Sequence, residues 1–233
     1  MKKIPQLLAF CCSFITFSAI AAEENPYYVE FGFGRSNGYV PYTGELPSGR
    51  YSGASAFNIA LGKQFNEYIA FDVDLTYRGD YINNDDDVYT DHNTQKGTVT
   101  LTSLSSMLNG YYYYYNKIPN FRPYITGGIG ISQNKTSNQT ISGTDINGDQ
   151  LTNVSEKKTT ISFSWKLGTG IKYKLDNRFE VDLRYQYVDL GNVDSSNTSS
   201  AYINGIYQKT TIGTTQSSRL SAHEILVGII YKF

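Results

Sequence analysis

Tyr68 to Arg78, read YIAFDVDLTYR, alternates without a break. Successive side chains of an extended strand point to opposite sides, so Ile69, Phe71, Val73, Leu75 and Tyr77 share one face and Ala70, Asp72, Asp74, Thr76 and Arg78 the other. The run is about ten residues long, which is what a tilted strand needs to cross a bilayer. One such strand is a fragment; the question is how often it recurs.

Three further stretches repeat the pattern. Phe179, Val181, Leu183, Tyr185 and Tyr187 oppose Glu180, Asp182, Arg184 and Gln186. Ile161, Phe163, Trp165, Leu167, Ile171 and Tyr173 oppose Ser162, Ser164, Lys166, Gly168, Gly170 and Lys172. The C-terminal stretch sets Ile225, Val227, Ile229, Tyr231 and Phe233 against Glu224, Gly228 and Lys232. Weaker members surround Val29 to Phe33, Phe57 to Leu61, Leu104 to Tyr114 and Ile125 to Ile131, giving eight strands. The connections alternate: long at Ser36–Gly53, Gly79–Gly97, Gln133–Lys158 and Asn192–Ser218, short at Lys63–Glu67, Asn116–Asn120 and Lys174–Arg178. These features predict an all-β protein: an eight-stranded antiparallel transmembrane up-and-down β-barrel with four long extracellular loops and three short periplasmic turns.

The N-terminus agrees with export. Lys2 and Lys3 precede an apolar core, Leu7 to Ile20, and an A-x-A site at Ala19 to Ala21, so residues 1–21 read as a cleaved signal and 22–233 as the barrel domain. Both cysteines, Cys11 and Cys12, fall inside that core, which leaves the mature chain without disulfide or thiolate chemistry. Phe10 before Cys11 argues against lipidation. Without Lys2 and Lys3, 18 basic groups face 21 acidic ones, a net charge of about −3 that carries no nucleic-acid footprint. Nothing beyond the signal is long and apolar enough for a membrane helix.

Periodicity alone does not decide which face points out, because a soluble barrel would turn the apolar face inward. The charges do. The polar faces collect the acids Glu30, Asp72, Asp74, Glu180, Asp182 and Glu224 and the bases Arg78, Arg122, Lys166, Lys172, Arg184 and Lys232, six of each sign. Directed inward they can neutralise one another in an interior just wide enough for side chains to fill. A balanced set of this kind predicts a packed polar plug, whereas a selective pore would favour one sign.

Several blocks resemble the opacity-type bacterial surface antigens, relatives of the small OmpA and OmpX barrels. They are Phe33-Gly34, Asn109-Gly110-Tyr111-Tyr112, Pro123 to Gly130, Phe163-x-Trp165-x-Leu167-Gly168-x-Gly170, Tyr185-x-Tyr187-x-x-Leu190-Gly191 and His223-Glu224-x-x-x-Gly228. The resemblance covers nearly all of the mature chain and implies an outer-membrane location with the loops outside the cell. It also implies that the terminal Tyr231-x-Phe233 is the signal read by the barrel-assembly machinery, and that roles lie in adhesion, immune exposure or envelope integrity, with no catalytic residues common to the family. No peptidoglycan-binding domain is expected.

Chemistry is sparse elsewhere. Ser221, His223 and Glu224 would suit a barrel-embedded hydrolase, but adjacent strand residues diverge, so no catalytic set is assigned. His92 with Asp85, Asp86, Asp87 and Asp91, and Asp145 with Asn147 and Asp149, lack the pattern of a metal loop and read as solvated acids. Asn134, Asn138, Asn153 and Asn197 head short Asn-x-Ser/Thr matches without assigned function. No cofactor or metal is expected.

The run Tyr111 to Tyr115 breaks the alternation. At a periplasmic rim this is intelligible, because Tyr112 and Tyr114 would face the lipid headgroups while Tyr111, Tyr113 and Tyr115 cap the lumen. With Trp165, Tyr173, Phe179, Tyr231 and Phe233 they make up the expected aromatic girdle. The expected partners are outer-membrane lipid and lipopolysaccharide, the assembly machinery, and a host-surface or serum ligand for the loops. A small channel is the rival reading.

Overall fold

The computed structural model describes residues 27–41, 49–90, 93–114, 118–137, 139–144 and 148–233. The signal segment, with Cys11 and Cys12, lies outside the described residues, as do Asp91, His92, Tyr115, Asn138, Asp145 and Asn147.

The described strands are β1 (Tyr27–Val40), β2 (Gly49–Arg50), β3 (Ala54–Gln64), β4 (Ile69–Thr90), β5 (Asn93–Tyr113), β6 (Phe121–Thr136), β7 (Gln139–Thr144), β8 (Gln150–Ser155), β9 (Lys158–Lys174), β10 (Phe179–Asp194), β11 (Thr198–Ile203), β12 (Ile206–Ile212) and β13 (Ser217–Lys232). Eight of them form a closed antiparallel ring: β1 pairs β3, β3 pairs β4, then β5, β6, β9, β10 and β13 follow in order, and β13 returns to β1. Closure leaves no open edge inside the membrane, where unpaired backbone groups would be costly.

The faces are inverted relative to a water-soluble protein. Phe31 is 59% exposed and Leu167 60%, whereas Asp72 is 3% exposed and Glu30 fully buried. An apolar band on the outside and charges inside are stable only if the band meets hydrocarbon.

Short turns close one end. In the β3–β4 turn the Asn66 Oδ1 accepts from the amides of Tyr68 and Ile69, and in the β9–β10 turn the Asp176 Oδ1 accepts from Arg178 and Phe179. An Asn or Asp side chain that mimics a backbone turn explains why these connections are short. Those two amides hold the Asp176 carboxyl below the usual carboxylate range.

At the other end the long connections are themselves built largely of strands. β4 and β5 run on through most of the Gly79–Gly97 segment, and the two later segments hold β7 and β8 and then β11 and β12. β7 pairs β5, β8 pairs β7, β11 pairs β8 and β12 pairs β11, so the connections extend the barrel's own sheet beyond the ring. These Thr- and Ser-rich stretches favour strands without strict apolar alternation, because both faces can meet water.

Candidate functional site

Along the barrel axis the interior falls into three layers. At the end closed by the short turns, Lys172 Nζ lies 5.0, 4.7, 5.4 and 5.5 Å from the ring centroids of Tyr28, Tyr111, Tyr113 and Tyr124, and it donates to the Tyr113 hydroxyl at 3.0 Å. Four ring faces around one buried ammonium replace much of its lost hydration. Beside this cage Glu180 accepts from Lys232 and, at 3.3 Å, from Arg122, whose guanidinium stacks 4.3 Å from the Tyr113 ring. Tyr111 and Tyr113 thus point inward from the tyrosine run, while Tyr112 and Tyr114 point outward, 47% and 50% exposed. Tyr28 and Tyr124 complete the cage from other strands; alternation places both on inward faces, but it does not pair them with Lys172.

The middle layer is ionic. Arg184 Nη2 meets Glu30 Oε1 at 2.6 Å, and its Nη1 donates to the Tyr111 hydroxyl at 3.0 Å. Lys166 donates to Asp74, while Asn109 Nδ2 bridges Asp72 at 2.6 Å and Asp74 at 3.1 Å. Tyr124 donates to Asp182 at 2.7 Å and Tyr28 to Asp72 at 3.1 Å. Above them Arg78 grips Glu224 through Nε at 2.5 Å and Nη2 at 3.2 Å, while Ser36 and Gln186 each donate to the same carboxylate at 2.6 Å. Every one of these charged side chains is almost wholly buried.

The third layer departs from a uniformly polar plug. Val40, Tyr81, Val99, Leu101, Leu190 and Leu220 are all buried, in one apolar cluster inside the outward-reaching part of the barrel. At that height the outside is mixed, with Asp80 and Lys135 exposed and Arg219 56% exposed beside Ile82 at 39% and Phe163 at 62%. Once the wall leaves the hydrocarbon its outer face meets water, and the ordinary inside-apolar rule returns.

Local irregularities help to turn the faces over. The register shifts between Arg78 and Tyr81 and again between Asp189 and Asn192. At the second shift Gly191 has φ +72, and a Cβ there would collide with the Phe163 carbonyl, so only glycine fits. Asp189 holds the Gly191 amide at 2.9 Å and Arg219 at 2.7 Å, while Asn134 donates to the carbonyls of Leu190 and Asn192 at 2.8 and 2.9 Å.

The remaining residues of the expected girdle fall at two rims. Tyr173, Phe179, Tyr231 and Phe233 lie at the short-turn end, where Phe121–Tyr173 and Phe179–Tyr231 rings are 4.9 and 5.2 Å apart. Trp165 lies at the opposite rim, 5.5 Å from Tyr187. His223 belongs to that rim too, with its Nδ1 2.7 Å from the Tyr185 hydroxyl. Glu224 turns inward to Arg78 and Ser221 pairs across to Tyr39, so Ser221, His223 and Glu224 are not brought together. Among the described residues no group of three or more His, Cys, Asp and Glu side chains is arranged to hold a metal.

A closed eight-stranded barrel with an apolar outer band, aromatic rims, a charged interior and long connections at one end is an outer-membrane β-barrel. The chain belongs to the outer membrane protein beta-barrel domain family, whose model matches residues 7–233. It is 28% identical to the outer membrane protein PagN of Salmonella typhimurium over 94% of this chain and 89% of the relative. Its fold is similar to that of the Neisserial surface protein A, with a TM-score of 0.51 and 16% identity over 89% of this chain and 97% of that one. It is therefore an outer-membrane protein with its long connections outside the cell.

Proposed function

We propose that this protein is a non-enzymatic surface protein whose barrel anchors an extracellular sheet for contact with host-surface or serum components. The observation that carries this reading is β12, which among the described residues has β11 as its one sheet neighbour and is exposed along its whole length. Ile206 and Tyr207 at the β11–β12 turn are 68% and 55% exposed, an apolar tip that water alone does not favour, and Ile212 at the far end of β12 is 76% exposed. The tip is held in shape: Asn204 and Gly205 both take positive φ in the β11–β12 turn, and Asn204 bonds Asp149 and Gln150 at 2.8 Å.

Lipid and lipopolysaccharide at the aromatic rims, and assembly machinery reading Tyr231 and Phe233, complete the proposed partners. The layered interior supports an anchor over a channel. Replacing residues 198–212 with a short Gly-Ser turn is expected to abolish binding of whole cells to host-surface and serum components while the barrel stays folded, and planar-bilayer recordings on the intact protein are expected to stay flat. Equal binding with and without the β11–β12 hairpin would sink the proposal, and a reproducible conductance changed by Lys166→Met would favour the channel.

A further inference from the structure

The apolar band of the outer wall ends lower on β1 than on β9. Eight, ten and twelve residues up β9 from Tyr173 at the short-turn rim, the wall still presents Trp165, Phe163 and Ile161. On β1 Phe31 and Phe33 belong to the band, but eight and ten residues up from Tyr27 stand Arg35 and Asn37, both exposed. At about 3.4 Å per residue and a tilt of roughly 40°, Arg35 lies about 21 Å above the rim, near the outer edge of an apolar band about 25 Å tall.

Arg35 has company there. His223 on β13 pairs across to Asn37 and is therefore the diagonal neighbour of Arg35, which faces Ile225. The His223 Nδ1 lies 2.7 Å from the Tyr185 hydroxyl, so Nε2 is the ring's remaining polar atom. The Arg35 guanidinium folds over Gly53, where a Cβ would stand 2.2 Å from Nε and 2.7 Å from Nη2. Gly53 takes no positive φ, so its backbone does not demand glycine; the seated guanidinium does. Because Ala54 pairs with Ser36, Gly53 is level with Asn37, and the guanidinium is turned away from the hydrocarbon. Among the described residues neither Arg35 nor His223 pairs with a carboxylate.

Charge and depth together identify the occupant. A guanidinium, an amide and an imidazole nitrogen, side by side at the hydrocarbon edge, suit an anion that itself sits at that depth. The planar guanidinium matches two oxygens of one phosphate. At the end that carries the long connections, the leaflet of an outer membrane is built of lipopolysaccharide, whose sugar headgroup is phosphorylated. We propose that Arg35, Asn37 and His223 form a seat for one headgroup phosphate of lipopolysaccharide, with Gly53 left bare to hold the guanidinium in place. The seat rests on the reading that lipopolysaccharide is a partner of the rims and is independent of the β11–β12 hairpin.

The test is native mass spectrometry of the full protein in mild detergent, with diphosphorylated lipid A, the same lipid A stripped of phosphate, or phosphatidylglycerol added in turn. The wild type is expected to retain the phosphorylated lipid A about tenfold better than either alternative. Arg35→Gln is expected to abolish that preference. Gly53→Ala, which keeps the charge but removes its seat, is expected to reduce it, and Lys135→Gln, an exposed cation on β6, to leave it unchanged. Full preference in Arg35→Gln overturns the site, and full preference in a folded Gly53→Ala overturns the role of the bare glycine. An equal loss in Lys135→Gln overturns it too, since overall charge would then be the cause. Equal retention of stripped and phosphorylated lipid A overturns the phosphate seat while lipopolysaccharide stands as a partner through its chains. Retention of neither removes both, and equal retention of phosphatidylglycerol overturns the assignment to lipopolysaccharide.

Discussion

Around Arg184 and Lys166 the barrel keeps its charges inside and hydrocarbon-facing side chains outside; around Leu190 and Leu220 the interior turns apolar and charges such as Arg219 come to the outside. The two layers share a backbone and a ring closure. What separates them is the solvent against the outer wall. In the membrane the outer face satisfies the lipid, and the interior can hold polar groups provided each finds a partner. Beyond the membrane, water takes the outer face and the interior becomes an ordinary apolar core.

The comparison is tested most severely in the charged layer. Arg78→Leu leaves the fully buried Glu224 carboxylate without its two-pronged partner and is expected to cost about 3–5 kcal/mol. The unfolding midpoint in detergent reports this, and the double variant Arg78→Leu with Glu224→Leu is expected to recover most of it, because no uncompensated charge remains. A single Arg78→Leu protein as stable as the wild type would mean that the ion pair is not buried as described.

The apolar layer should respond more mildly and by a different mechanism. Leu220→Ala removes buried methyl groups from a closed core and is expected to cost about 3 kcal/mol, part of it the cavity left behind. Ile225→Ala, farther along the same strand on the lipid face, loses contact area without a trapped cavity and is expected to cost only roughly 1–2 kcal/mol. Equal losses at the two positions would erase the proposed difference between a core and a lipid-wetted wall.

The smallest effect belongs to the turns, where neither layer is involved. Asp176 is exposed, and its carboxyl is depressed by the Arg178 and Phe179 amides. Because its folded pKa lies below the unfolded one, the stability it adds is fully present at neutral pH and is lost as pH falls through the depressed folded value. Wild type and Asp176→Ala should therefore differ slightly at neutral pH and converge in acid; a gap that opens only in acid would have the wrong sign.

Much of this was legible in the sequence. The alternation in Tyr68 to Arg78 assigns Asp72, Asp74 and Arg78 to one face, and the long and short connections assign the ends. The tyrosine run is equally readable as a boundary, since Tyr111 and Tyr112 fall on opposite faces of β5. The apolar layer was harder to see. Leu101, Leu190 and Leu220 stand singly among Thr, Ser, Asn and Asp just outside the long connections, and the register shifts near Tyr81 and Gly191 break the period on which strand recognition depends.

By itself the sequence determined which side chains share a face and which ends carry the long connections, because strand alternation is a local property that repeats every two residues. Only the tertiary structure decided the partners: Arg78 with Glu224, 146 residues away, Lys172 within rings from three other strands, and the apolar cluster gathered from both halves of the chain. Those meetings depend on ring closure and on the register of each strand against the next, which set who faces whom across the lumen and which no single strand encodes.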